Sequence, residues 1–141
     1  MSLFTDAELN YLQSERRLAR VATVGPDGTP HVTPVGWTYN ADAGAIEVGG
    51  HDFAATKKYR DVTRTGRAAI VIDDVVPPWQ PRGIEIRGTA EAVAEPIPVI
   101  RIYPARIVSW GLDDPRGRNA RDVHAPRTSA MADRARSLSG D

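Results

Sequence analysis

A chain of 141 residues, 41% of them hydrophobic, has the length of one ordinary domain and enough apolar side chains for a single core. Its 18 lysines and arginines balance its 18 aspartates and glutamates, and no run of five basic residues occurs, so the electrostatic footprint of a nucleic-acid binder is missing. Without cysteine, thiol nucleophiles, disulfides and cysteine-ligated zinc are excluded; with no signal-like N-terminus and no apolar run of membrane-spanning length, a soluble, cytoplasmic protein is expected.

The first predicted element is a short helix over Asp6 to Glu15. Thr5 and Glu8 form a T-x-x-E capping box, and Phe4 and Leu9 are spaced to staple across it. The stretch "RLARVATV" then alternates apolar and polar positions into "GPDG", a tight-turn sequence, and "TPHVTPVGWTYN" returns as a strand rich in β-branched and aromatic residues. After the turn cluster "NADAG", "AIEVGG" supplies a third strand, so the opening unit is an antiparallel meander.

The segment from Ala54 to Thr63 breaks the alternation and reads as a short helix, with Asp52 as its expected N-cap. Beyond it, "RAAIVIDD" is a central strand, "VVPPWQP" a stiff loop with three prolines, and "RGIEIRGTAEAVA" a long strand with one buried face. "PVIRIYPARIVSWG" gives one or two further strands around Pro104. Periodicity then fades, so residues 1–113 are expected to form the domain and residues 114–141 an irregular C-terminal tail. About six short strands and two short helices predict a mainly β protein, a small antiparallel barrel whose closure removes exposed edges.

No G-x-G-x-x-G follows the first strand, and neither a P-loop, an H-E-x-x-H nor a G-x-S-x-G occurs. His31, His51 and His124 are too scattered for a metal site. Asp73 and Asp74 are adjacent on a strand, point to opposite faces and form no acid–base dyad. Trp37 and Trp110 suit a core, whereas Trp79, set among Pro77, Pro78 and Pro81, suits stacking on a flat ligand or a second subunit. Lys57 and Lys58, the two lysines of the chain, follow a Gly-Gly-His-Asp loop near a helix start, where free N–H groups and the helix dipole favour an anion. A solvated helix face is the alternative reading, and Arg60 and Arg64 nearby do not decide between them.

In order, "ATVGPDGTPHVTPV", "ATKKYRDV", "GIEIRGTAEA" and "RIVSWGLD" resemble the pyridoxamine 5'-phosphate oxidase-like flavin/deazaflavin oxidoreductase family, and within it the actinobacterial branch that uses coenzyme F420. The resemblance runs over residues 4 to 113. It implies a split β-barrel of the FMN-binding type that forms a homodimer, with two cofactor sites between the protomers. It also implies cofactor-binding positions in this chain: His31, Val32 and Thr33 beside the flat ring, Gly50 and His51 under the ribityl chain, and Thr56, Lys57 and Lys58 at the phosphate. Trp79 would reach the cofactor of the other protomer, accompanied by Arg82. The family's pyridoxine-type oxidases carry an arginine in the second strand and a Ser-Arg-Lys-type stretch in the helix. Residues 30 to 39 here contain no arginine and the helix reads "ATKKYRD", which favours F420 over FMN. The expected activity is therefore an F420-dependent reductase that passes hydride to an unsaturated small molecule, with no catalytic side chain identified. An FMN-dependent oxidoreductase and a non-catalytic F420 or flavin carrier are the alternatives.

Overall fold

In the computed structural model, residues 2–124 are described. The capping box forms as its spacing requires: the Glu8 N–H donates to Thr5 Oγ1 at 3.1 Å and the Thr5 N–H to Glu8 Oε1 at 2.9 Å, starting α1 (Asp6–Ser14). Phe4 is buried, and Leu9 packs partly buried against the core. The predicted meander follows as β1 (Ala19–Val24), β2 (Pro30–Asn40) and β3 (Ala45–Gly49), all antiparallel.

A single 3-10 turn (Phe53–Ala55) precedes α2 (Lys57–Thr65), and here the expected cap is corrected. Asp52 takes a left-handed conformation and makes no side-chain cap, while Thr56 Oγ1 accepts from the Tyr59 N–H. The helix therefore starts later than predicted, with both lysines in its first turn. It ends at Gly66, whose positive φ of 67° suits a residue without Cβ.

β4 (Arg67–Val76) and β5 (Gln80–Val93) form a hairpin that pairs almost to its tip, so the expected proline loop shrinks to Pro77, Pro78 and Trp79. β6 (Val99–Trp110) is one continuous strand. Its ladder with β5 shifts register at Arg87/Gly88, because Pro104 has no N–H to donate and Ala105 is left unpaired with β5. The Ala105 carbonyl instead accepts from the Val123 N–H at 2.8 Å. Beyond β6, residues 118–122 are not irregular as expected but form β7 (Arg118–Asp122) on the free edge of β6. Their polar sequence hid the strand, since an edge strand needs backbone pairing and only one apolar face. The remainder of the expected tail, from residue 125, lies outside the described residues.

The sheet order is β3-β2-β1-β4-β5-β6-β7, and the additional pairing of β3 with β6 closes the first six strands into a barrel. Register lines Val21, Ile70, Ile86 and Ile107 into one inward row, while Ile46, Ile102 and Ala90 form another across the closure. Eight isoleucines are fully buried there, each stabilising the fold by about 1.5–3 kcal/mol relative to exposure. α2 packs at the barrel end marked by Thr23 and Ala90, where Gly66 accepts from the Ala90 N–H. α1 packs at the end marked by Ser109 and Asp74. Among the described residues no helix is long and apolar enough to cross a membrane.

Candidate functional site

Strand register decides which candidate side chains meet. Thr23 pairs with His31 and Val21 with Thr33, so His31 and Thr33 share the face of β2 that leads to α2. Val32 pairs with Ala22 and points to the outer face, where it is 67% exposed. A flat ring laid on β2 can therefore contact the side chains of His31 and Thr33 or that of Val32, but not all three at once.

The β1–β2 turn brings α2 into this neighbourhood. A Cβ built on Gly25 would lie 2.8 Å from His31 Nε2 and 3.3 Å from Lys57 Nζ, so the imidazole and the ammonium converge over a glycine that leaves room for both. Lys57 is held there by Asp61, one helical turn on, at 3.5 Å. Asp61 is 1% exposed and also accepts from Thr23 Oγ1 at 2.9 Å and from Arg64 Nη1 at 3.3 Å. Arg64 Nη2 donates to the Val24 carbonyl, closing the helix onto the turn. Burial alone would raise the Asp61 carboxyl, but Thr23, Arg64 and Lys57 together hold it below the usual carboxylate range.

Lys58 points elsewhere. Its ammonium lies 5.6 Å from the centroid of the buried Phe53 ring, and among the described residues it pairs with no carboxylate. With Thr56 capping Tyr59, the amides of Lys57 and Lys58 precede the first intrahelical bond and are the free donors that a helix start offers an anion. Gly50 and His51 lie on the turn entering this segment; Gly50 sits against Phe53, and the exposed His51 contacts Asp52 at 3.3 Å.

Trp79 and Arg82 are not brought to this cluster within one chain. Trp79 sits at the tip of the β4–β5 hairpin and Arg82 three residues on, close behind the tip, at the α1 end of the barrel. Trp79 is 76% exposed. Arg82, in contrast, grips Asp74 with two hydrogen bonds of 2.8 and 3.0 Å and lies over the Tyr11 ring, so its guanidinium braces the hairpin just behind its tip. The Tyr11 hydroxyl donates to the same carboxylate at 2.8 Å.

Thr23, Gly25 and Asp61 are the site residues that sequence reasoning missed, and Arg64, noted in the sequence without a role, joins them. The spacings Lys57 to Asp61 and Asp61 to Arg64 were available as i, i+4 and i, i+3 helical pairs. Nothing in the spacing announces that the shared carboxylate is buried. Beside the cluster an apolar groove of about 450 Å³ runs over the barrel wall between Val24, Pro30, Ala69, Gly88 and Ala105. The set can hold an anion at the start of α2 and a flat group on β2. Among the described residues it presents no nucleophile–base pair.

The family model for pyridoxamine 5'-phosphate oxidase matches residues 5–133. A 5a,11a-dehydrotetracycline/5a,11a-dehydrooxytetracycline reductase from Streptomyces rimosus is 39% identical over 135 residues, covering 86% of this chain and 94% of that protein. Among solved structures, a conserved hypothetical protein from Mycobacterium tuberculosis aligns with a TM-score of 0.67 at 21% identity, over 92% of this chain and 96% of its own. An F420 reductase aligns with a TM-score of 0.53 at 19% identity, over 70% of this chain and 94% of its own. At these identities the two structures speak to the fold, which is the split barrel that the motifs implied. The chain belongs to the pyridoxamine 5'-phosphate oxidase family and is an oxidoreductase.

Proposed function

We propose that this protein is an F420-dependent reductase that passes hydride to an unsaturated, conjugated small molecule, and that it works as a homodimer with two sites between protomers. The observation that carries the reading is the 39% identity to a protein named for reducing a dehydrotetracycline, over 94% of that protein's length. When bound, F420 supplies the hydride, and this chain's residues need only bind, orient and exclude water. Thr56, Lys57 and Lys58 would hold the phosphate, Gly50 and His51 would lie under the ribityl chain, and His31 and Thr33 would receive the ring on their face of β2. The free donors at the start of α2, the unpaired Lys58 and the open face of β2 fit a ligand that is flat at one end and anionic at the other.

Trp79 supports the dimer reading, because an exposed indole at the far end of the barrel can meet the helix-start cluster only from a second copy. With Arg82 committed to Asp74, Trp79 alone is free to stack across the interface. The absence of arginine from β2 supports F420 over FMN.

Fluorescence titration with F420 and with FMN tests the cofactor. Oxidation of reduced F420 by a panel of quinones, enones and 5a,11a-dehydrotetracycline tests the reaction. F420 binding at micromolar or better affinity with turnover of one panel member is expected. Preference for FMN would transfer the reading to an FMN-dependent oxidoreductase, and tight binding without turnover would make the protein a carrier.

A further inference from the structure

Asp61 is a buried carboxylate that the proposed reaction does not use. It lies on the side of α2 that faces β1, accepting from Thr23 while two cations of its own helix, Lys57 and Arg64, reach back to it. Lys57 is still 45% exposed at its side chain, so without a tether a four-carbon stem would sample many rotamers in solvent. With the tether its ammonium stands over Gly25 beside His31. Lys58, one residue on, has no such partner among the described residues and rests near Phe53. The two lysines are thus unlike: one is tied by Asp61 against the β1–β2 turn, the other rests half-buried by Phe53.

We infer that Asp61 is a positioning residue for the anion site, fixing Lys57 over Gly25 and next to His31 so that one cation is already in place before an anionic ligand arrives. The inference rests on the cofactor reading for its ligand, but the tether itself is a property of the empty protein. Two effects of Asp61 on an anion oppose one another. As a bare negative charge it repels the anion, so its removal would tighten binding. As a tether it spares the ligand the ordering of a rotamer-rich side chain, so its removal weakens binding. The burial of the carboxylate behind two cations, with its charge directed at them, makes the second effect the larger.

Two measurements decide it. In the first, F420 and its phosphate-free deazariboflavin analogue are titrated into wild type and Asp61→Asn, which keeps the shape and the Thr23 partner. F420 affinity is expected to fall about three- to tenfold while the analogue is unaffected. In a Lys57→Ala background the same Asp61→Asn change is expected to weaken F420 no further. Tighter F420 binding by Asp61→Asn, or equal losses for both ligands, overturns the inference.

The second measurement needs no ligand. Because the chain has just two lysines, reductive ¹³C-methylation gives two side-chain signals, assigned with Lys57→Arg and Lys58→Arg. The Lys57 signal is expected to be shifted away from that of a free lysine in wild type and to return to it in Asp61→Asn, with Lys58 unmoved. If both lysines look free in wild type, the tether does not exist, whatever the cofactor. A wild type that binds neither F420 nor FMN would sink the cofactor reading and leave this second measurement to decide the tether. Should Asp61→Asn fold poorly, Gly25→Ala displaces His31 and Lys57 without touching Asp61, and the same loss for F420 alone is expected; unchanged F420 affinity there overturns the inference.

Discussion

Arg121 closes both terminal nitrogens of its guanidinium on the fully buried carboxylate of Glu8, at 2.7 and 3.0 Å, across 113 residues of sequence. Ser109 donates to the same carboxylate at 2.6 Å, and Arg121 also donates to the Leu3 carbonyl at 2.8 Å. Burial alone would raise the Glu8 carboxyl, yet Arg121, Ser109 and the Thr5 N–H hold it low. One charge thus caps α1, binds β6 and fastens β7. Arg121→Ala strands that charge and is expected to lower stability by about 2–4 kcal/mol, read from urea unfolding at neutral pH. Arg121→Lys should recover only part of the loss, because a lysine cannot fork across a carboxylate. A change below about 0.5 kcal/mol would show that β7 is not held this way.

The Asp74–Arg82 pair behind the hairpin tip sets an acid dependence. Two hydrogen bonds from Arg82 depress Asp74 to about 2, against the contrary effect of its partial burial and with help from Tyr11. A carboxyl lowered on folding contributes stability that is present above its unfolded value of 3.8 and is lost as pH falls toward 2. Wild type should therefore lose about 1–2 kcal/mol from this group over that window, discounted for its partial exposure. Asp74→Asn should flatten that part of the stability–pH profile. An unchanged acid limb in the variant would assign the loss to other carboxylates.

Lys58→Ala separates binding from folding. Among the described residues its ammonium has no carboxylate partner and lies near the Phe53 ring, so unfolding is expected to shift by no more than about 0.5 kcal/mol. A charge-assisted contact to phosphate is worth roughly 1.5–3 kcal/mol, and F420 affinity should fall at least about tenfold. Equal affinities for wild type and variant in the fluorescence titration would remove Lys58 from the site.

Trp79→Ala tests the second copy. An indole that is 76% exposed in one chain contributes little to that chain's fold. Sedimentation should show dimer association weakened by about 2 kcal/mol, with cofactor affinity falling in parallel and urea unfolding at low protein concentration unchanged. A monomeric wild type would refute the dimer.

Gly88 is a steric requirement of the barrel. A Cβ there would overlap the Tyr103 carbonyl oxygen and crowd the Ala105 nitrogen at 3.2 Å, where β5 shifts register against β6. Gly88→Ala is expected to cost about 3 kcal/mol or more, seen as a lowered urea midpoint or a loss of soluble protein. A stable variant would mean that the bulge can relax.

Local rules were enough for α1, the meander and the long β4–β5 pair. The capping box of Thr5 and Glu8 and the alternation through Ile70, Ile72, Ile84 and Ile86 act within a few residues of themselves, and so they can be read from order alone. β7 could not be read that way, because Arg118–Asp122 becomes a strand by pairing with the edge of β6 and by the reach of Arg121 to Glu8. Nor could the cap of α2, where Asp52 was expected and its left-handed backbone leaves the capping to Thr56. The lysine pair was conspicuous in the sequence, and its neighbours were not. Whether Lys57 differs from Lys58 depends on Asp61 being buried against Thr23 and on Gly25 leaving space beside His31. Those contacts join β1, β2 and α2, segments whose separation in the chain carries no record of the distance at which folding sets them.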